Sequence, residues 1–340
     1  MSHPSTGGSR VAAPPQREGH GPASGGDASA LPAGSGRRGR TAWRQRFEIT
    51  VLTGPALIVF LGFVIAPVIV AAYCGFFNWN GYGPLVKSVG FDNYIAVLKD
   101  KNFYEALGHN IFIVVMSLLC QGPLALLVAL LLNKKMKGRS ALRVLLFVPY
   151  VISEAIIGVG WRLILGTGQT GGALNALLDN IGLGWLQHYW LDNGSAIWVL
   201  LGICTWKYLG YAIILFLAGM QGIPEELSEA AAIDGASYWK TQWHITLPLL
   251  GPTLRIWAFL SIIGSLQLFD LVYVIWGKAA QFTGVSTMAS YMVQSGRDMG
   301  RWGYGNAVAV VMFLISLVIA LAYQRFVLRR DTEGSLTEGR

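Results

Sequence analysis

Apolar residues gather along the chain into six long runs, over 51–76, 107–132, 141–166, 196–220, 254–276 and 306–327. Each reaches the roughly 20 residues that carry a helix across about 30 Å of bilayer hydrocarbon. In lipid only a helix satisfies its backbone groups within one segment, so each run is predicted to be a transmembrane helix. The fold class that follows is all-α, a polytopic membrane protein with six spans. Pro55, Pro67, Pro123 and Pro149 fall inside runs, where each is expected to kink its helix without ending it. Residues 1–42, rich in Gly, Pro, Ser, Ala and Arg and lacking apolar periodicity, read as a disordered tail. Residues 43–328 read as the six-helix membrane domain and 329–340 as a second short tail. The first apolar run starts too far along the chain for a cleaved signal peptide.

Composition sharpens this picture. Hydrophobic residues make up 53% of the 340 and charged residues 13%, against roughly 25% charged in soluble domains. The formal charge of +8, from 26 Lys and Arg against 18 Asp and Glu, would suggest nucleic acid in a polar chain. Here it points to membrane lipid, with no nucleic acid partner. Fifteen basic residues lie in one set of termini and loops: Arg37, Arg38, Arg40, Arg44, Arg46, Lys134, Lys135, Lys137, Arg139, Arg143, Lys240, Arg255, Arg325, Arg329 and Arg330. The opposite loops hold six, Lys87, Lys99, Lys101, Lys278, Arg297 and Arg301. The excess of positive charge marks the inner side, so both termini are expected to be cytoplasmic. Cys74, Cys120 and Cys204 lie in apolar runs without metal-ligand spacing, which supports neither a disulfide framework nor a metal site. No phosphate-binding G-x-x-x-x-G-K-[ST] loop, H-E-x-x-H or G-x-S-x-G motif occurs. The chain reads as a non-enzyme without a cofactor, and any ATP hydrolysis would belong to another polypeptide.

The segment 222–250, between the fourth and fifth runs, breaks the basic trend. Glu225, Glu226, Glu229 and Asp234 fall within ten positions. Pro224 suits the start of a helix, and the glutamates suit the positive end of its dipole. Asp234-Gly235 should end that helix, and a second amphipathic piece with Trp239, Trp243, Ile245 and Leu247 should run to Pro248. Composition alone would also allow a solvated connecting helix. The spacing of Glu229-Ala230-Ala231, three residues, Gly235, nine residues, Ile245, one residue, Leu247-Pro248 resembles the EAA loop of binding-protein-dependent ABC importer permeases at every defining position.

That resemblance covers roughly 50–328 and implies several things. The segment would dock on a cytoplasmic ABC ATPase dimer, with Glu229 as the polar contact, Ala230 and Ala231 allowing close seating, and Gly235 as the hinge. A second permease subunit, forming a heterodimer, and an extracellular solute-binding protein would complete the transporter in the cell membrane. Phe269-Asp270-Leu271-Val272-Tyr273, Thr287 with Tyr291, and Gly303-Tyr304-Gly305-Asn306-Ala307 are most similar to maltose-type sugar permeases. Trp276-Gly277-Lys278-Ala279-Ala280 departs from the Gly-Gly-Pro stretch usual there. The implied solute is a sugar or oligosaccharide. The alternatives are another small polar solute, such as a polyol phosphate or compatible solute, or an ion-coupled secondary carrier working alone.

Polar residues inside the runs are candidates for a solute path, because charge at a helix centre is costly and tends to face the interior. They are Glu154, Lys207 and Asp270, with Asn110, Gln267 and the aromatics Trp161, Trp206, Tyr208, Tyr211 and Tyr273. Pairing between helices is the competing role for the charged residues, and helix-to-helix hydrogen bonding for Asn110 and Gln121.

Overall fold

The computed structural model describes residues 37–134, 136–167 and 170–328. The described residues up to Val59 belong to one unit, and those from Phe60 to Leu328 to a second. Helix α1 (Arg37–Phe60) begins inside the segment expected to be a tail, over residues rich in good helix formers. The remainder of that tail, 1–36, and the tail 329–340 lie outside the described residues.

Five described helices are long and apolar enough to cross a membrane, and a bent pair makes up to six. The first, Ile49–Cys74, ends in a π-helical turn (Leu61–Ile65) and α2 (Ala66–Cys74). A short helix, α3 (Asp92–Lys99), precedes the second span, Lys101–Asn133, built from α4 (Lys101–Met116), a π turn (Ser117–Gln121) and α5 (Gly122–Asn133). The third is the bent pair α6 (Arg139–Val151) and α7 (Glu154–Leu165), turned by 94°. Two-residue strands β1 (Gly166–Thr167) and β2 (Thr170–Gly171) and helix α8 (Ala173–Asn180) lead to the fourth span, α9 (Ala196–Gln221). Then come α10 (Glu225–Ile233), α11 (Tyr238–Thr241), a π turn (Gln242–Thr246) and α12 (Leu247–Leu249). The fifth span, Gly251–Gln281, contains α13 (Gly251–Leu266) and α14 (Asp270–Trp276). Helix α15 (Met288–Val293) precedes the sixth, Trp302–Leu328, which is mostly α16 (Trp302–Tyr323).

Prolines are handled in two ways. Pro67, Pro123 and Pro248 each follow a π turn by two residues. A proline lacks an N–H and crowds the carbonyl four residues back. In these turns Ala66, Gly122 and Leu247 instead donate five residues back, to Leu61, Ser117 and Gln242, and the widened turn makes room for the ring. Pro149 departs from expectation. Helix α6 stops two residues later, and Ile152 and Ser153 are extended, with ψ of 136° and 139°. The third run is thus two helices rather than one kinked span. The break is tolerable because Lys207 Nζ donates to the carbonyls of Ile152 at 2.7 Å and Tyr150 at 3.4 Å.

Lipid supplies no hydrophobic drive between helices, so close packing of small residues holds them together. Gly122, Ala125 and Ala129 form a small-residue stripe on α5, buried against the side of the protein where Trp257, Phe216 and Ala212 pack. At Gly210 a side chain would overlap the Leu146 carbonyl, which is why α9 and α6 can approach so closely there. A second core joins Ile157 and Leu165 of α7 with Leu271, Val272 and Ile275 of α14 and Leu200 and Ile203 of α9. The third gathers Phe103, Ala106, Leu266, Met288, Tyr291, Ala307 and Val308. By contrast, Phe63, Ile69 and Val70 in the first span point outward, as lipid-facing residues do.

Asp100 ties three segments of this last core together. Its carboxylate caps α4 by accepting from the Asn102 N–H at 2.9 Å, and it accepts the hydroxyls of Tyr291 and of Tyr304, the latter at 2.6 Å. Arg301 lies over the Tyr304 ring, 4.3 Å from its centroid. Burial, acting alone, would raise the Asp100 pKa, but the three donors and Arg301 outweigh it and hold the carboxyl below 3.8. Burial and the bond to Asp100 push Tyr291 up to about 12. The Asp100 contribution is therefore complete above its ordinary pKa and is lost as pH falls through the lower folded value. Thermal unfolding of the purified protein in detergent should shift to lower temperature below about pH 4. Asp100→Asn should already be less stable at neutral pH and show a smaller acid shift.

Candidate functional site

Two regions carry the expected chemistry. The first is a cavity of about 260 Å³ between the second, third, fourth and fifth spans. Ile113, Ser117 and Gln121 of the second span face Trp257, Ser261 and Ser265 of α13 across it. The wall between them comes from Tyr150 at the end of α6 and from Leu201, Cys204, Thr205, Tyr208 and Tyr211 of α9. These follow helical spacing, so one face of α9 and one of α13 line the space. Ser117 donates to Gln121 Oε1 at 2.7 Å, and its oxygen is 2.7 Å from that of Ser261. Tyr150 stacks on Tyr211 with ring centroids 4.9 Å apart and an 18° angle, and meets Tyr208 edge-on at 6.2 Å. The lining offers aromatic faces and hydroxyls and contains no charged side chain.

Of the ten expected path residues, Tyr208 and Tyr211 line this cavity. Glu154 adjoins it by accepting the Tyr208 hydroxyl. Lys207, 3% exposed, caps the end of α6. Asn110, fully buried, does the same for the break in the fifth span. Its amide donates to the carbonyls of Ser265 at 2.7 Å and Leu266 at 3.4 Å, the last of α13, and its oxygen accepts the Met288 N–H of α15 at 2.8 Å. Trp161 and Trp206 pack edge-on to each other at 5.7 Å, with Trp206 largely exposed. Gln267 and Asp270 are exposed around the α13–α14 break, and Tyr273 stacks on Phe269 and accepts from Arg297. The structure therefore does not bring these ten together. Sequence reasoning passed over Ser117, Tyr150, Thr205, Ser261 and Ser265. Their signal was the i, i+4 stripe Trp257-Ser261-Ser265, matched by Ser117-Gln121.

The second region is the segment 222–250. No residue of α10 is buried, and Ile233 is 87% exposed. Glu225 and Glu226 occupy its first turn, as expected. Its end is a complete Schellman motif, in which the Gly235 N–H reaches the Ala232 carbonyl at 3.1 Å and the Ala236 N–H reaches that of Ala231 at 2.9 Å. Gly235 has φ of +76° at the left-handed position that this motif needs, with open space around it. Ser237 then caps α11, and Tyr238 fixes the turn to the second span by donating to the Leu130 carbonyl at 2.7 Å, with Lys134 over its ring at 3.7 Å. Glu229, Ala230 and Pro248 are exposed and Ala231, Ile245 and Leu247 half-buried. The motif thus forms an exposed helix–turn–helix, tied to the second span through Tyr238.

Residues 121–332 match the family described as binding-protein-dependent transport system inner membrane component. The chain belongs to this family. It is a multi-pass membrane permease of an ABC importer, a transport component rather than an enzyme. The arabinooligosaccharides transport system permease protein AraP of Bacillus subtilis (strain 168) is 33% identical over 83% of this chain and 90% of its own length. The trehalose/maltose transport system permease protein MalF of Thermococcus litoralis is 31% identical over 79% of this chain and 90% of its own. A solved bacterial ABC transporter involved in import of the acidic polysaccharide alginate has a chain with the same fold, at a TM-score of 0.73 and 24% identity, covering 86% of the permease and 99% of that chain.

Two substitutions check these assignments. Because a left-handed residue with a Cβ costs roughly 1–2 kcal/mol, Gly235→Ala should speed amide exchange over 230–236 by about five-fold or more, and Gly235→Asn by less, read by hydrogen–deuterium exchange. Asn110→Leu removes the side-chain partner of the Leu266 carbonyl and the Met288 N–H, and one of the partners of the Ser265 carbonyl, and a buried group left unpaired costs about 1–3 kcal/mol. It should lower the unfolding temperature well beyond the effect of Gln267→Leu at its exposed neighbour.

Proposed function

We propose that this permease moves a neutral sugar or oligosaccharide through the cavity lined by Tyr150, Tyr208 and Tyr211. The observation that carries this reading is the lining itself: four aromatic side chains, Trp257 with the three tyrosines, and several hydroxyls, with no charged side chain. Sugars are bound by stacking on aromatic faces and by hydroxyl hydrogen bonds, whereas a polyol phosphate calls for a cation. The sugar permeases AraP and MalF among its relatives support the same class.

In this reading both termini are cytoplasmic, in keeping with the fifteen-to-six distribution of basic residues. Residues 222–250 face a cytoplasmic ATPase dimer. Glu229 provides the polar contact, Ala230 and Ala231 the close seating, Gly235 the turn, and Ile245, Leu247 and Pro248 the connection into the fifth span. A second permease subunit, different in sequence, and an extracellular solute-binding protein complete the assembly. ATP binding and the loaded binding protein then favour the same outward-open state, which is how coupling arises from differential stabilisation.

Two measurements on the complex reconstituted in proteoliposomes decide this reading. Arabinotriose, maltotriose and trehalose should be tested against glycerol 3-phosphate for uptake and stimulated ATP hydrolysis. At least one sugar should be taken up and glycerol 3-phosphate should not; the reverse would overturn the proposal. Glu229→Lys and Gly235→Asp should each abolish uptake, and unchanged transport in both would remove the coupling role.

A further inference from the structure

We propose that Glu154 is a positioning residue which, from behind the cavity wall, commits the Tyr208 hydroxyl to accept rather than donate toward solute, making this point of the wall selective for solute groups that carry a proton.

Glu154 does not line the cavity, yet Tyr208 does. The Tyr208 hydroxyl donates its proton to Glu154 Oε1. A phenol has one proton to give, and once it is bonded to the carboxylate only the lone pairs of the oxygen remain. The cavity therefore meets an acceptor at Tyr208. A solute hydroxyl can bond to it, while an ether oxygen, a fluorine or a methylated hydroxyl at the same place cannot.

The break in the third span makes this arrangement possible. Glu154 is the first residue of α7, where the positive end of the helix suits a hydrogen-bond acceptor. It occupies that place because α6 ends at Val151 and the chain turns by 94° before α7 starts. Lys207, one residue before Tyr208 on α9, holds the two carbonyls at the break. The same carbonyl contact fixes the backbone of Tyr150, whose ring packs against both Tyr208 and Tyr211. One lysine thus anchors the turn that delivers Glu154 and the ring that packs beside its target. An intramembrane carboxylate is costly, and its spatial relation to Tyr208 gives it a role without solute contact.

This inference rests on the reading of the cavity as a sugar path, and the experiment separates the two. Uptake of maltotriose and arabinotriose, and of analogues with single hydroxyls replaced by fluorine or methoxy, is measured in proteoliposomes containing the complete transporter. For wild type, at least one replacement should raise KM about ten-fold. Glu154→Met should reduce that discrimination to less than two-fold, and Glu154→Gln, which keeps an acceptor oxygen, should restore most of it. Tyr208→Phe, which leaves Glu154 and Lys207 in place, should lose the same discrimination, and adding Glu154→Met should cost nothing further. It also serves if Glu154→Met fails to assemble. If Tyr211→Ala raises KM while Tyr208→Phe or Glu154→Met leaves discrimination intact, the positioning role is wrong and the path stands. If no replacement affects wild-type KM, the selectivity is wrong. If Tyr211→Ala has no effect, or no sugar is taken up, the path itself falls and this inference with it.

Discussion

Inside a bilayer every backbone N–H and C=O must find a partner within the protein, and this permease depends on how that demand is met where its helices break. An unbroken helix meets it internally. The third and fifth spans are broken, and each break is closed by a polar side chain from another span: Lys207 on α9 for the end of α6, and Asn110 on α4 for the end of α13. Asn110 also receives the first N–H of α15, so one amide serves the end of one helix and the start of another. These contacts turn two apparently solute-facing polar residues into fasteners of irregular backbone. They also make the cavity possible, since its wall includes the ends of α6 and α13.

The segment 222–250 is shaped differently. It is exposed, so its shape has to come from local chemistry: acidic residues in the first turn, a Schellman motif closed at Gly235, and a serine cap immediately after. Tyr238 and Lys134 then root it against the second span.

How much of this was legible in the sequence follows from the range of the interactions involved. The spans were legible because burial in lipid imposes one long apolar run per helix, and α9 and the sixth run fall close to their expected limits. The helix–turn–helix of 222–250 was legible because its signals lie within a few residues of one another. Pro149 was not. Pro67 and Pro123 look the same in sequence, yet π turns absorb them, and at Pro149 the backbone opens against a lysine more than fifty positions away. The cavity suffered from a related bias. Charges attract notice in an apolar chain, so Lys207, Asp270 and Glu154 stood out, whereas the hydroxyls of Ser117, Ser261 and Ser265 are unremarkable until their i, i+4 spacing is set beside that of α9.

The π turn at Ser117–Gln121 has a geometric corollary. A single residue beyond the α repeat rotates all that follows by about 100° about the helix axis. Asn110 lies before this turn and the Gly122, Ala125 and Ala129 stripe after it. The turn therefore acts as a phase shifter, setting the azimuth of the backbone cap against that of the packing stripe. A wheel drawn for an ideal helix through the second span would put one of the two on the wrong side, and a one-residue deletion there would be felt as a rotation of half the span rather than as a shortening.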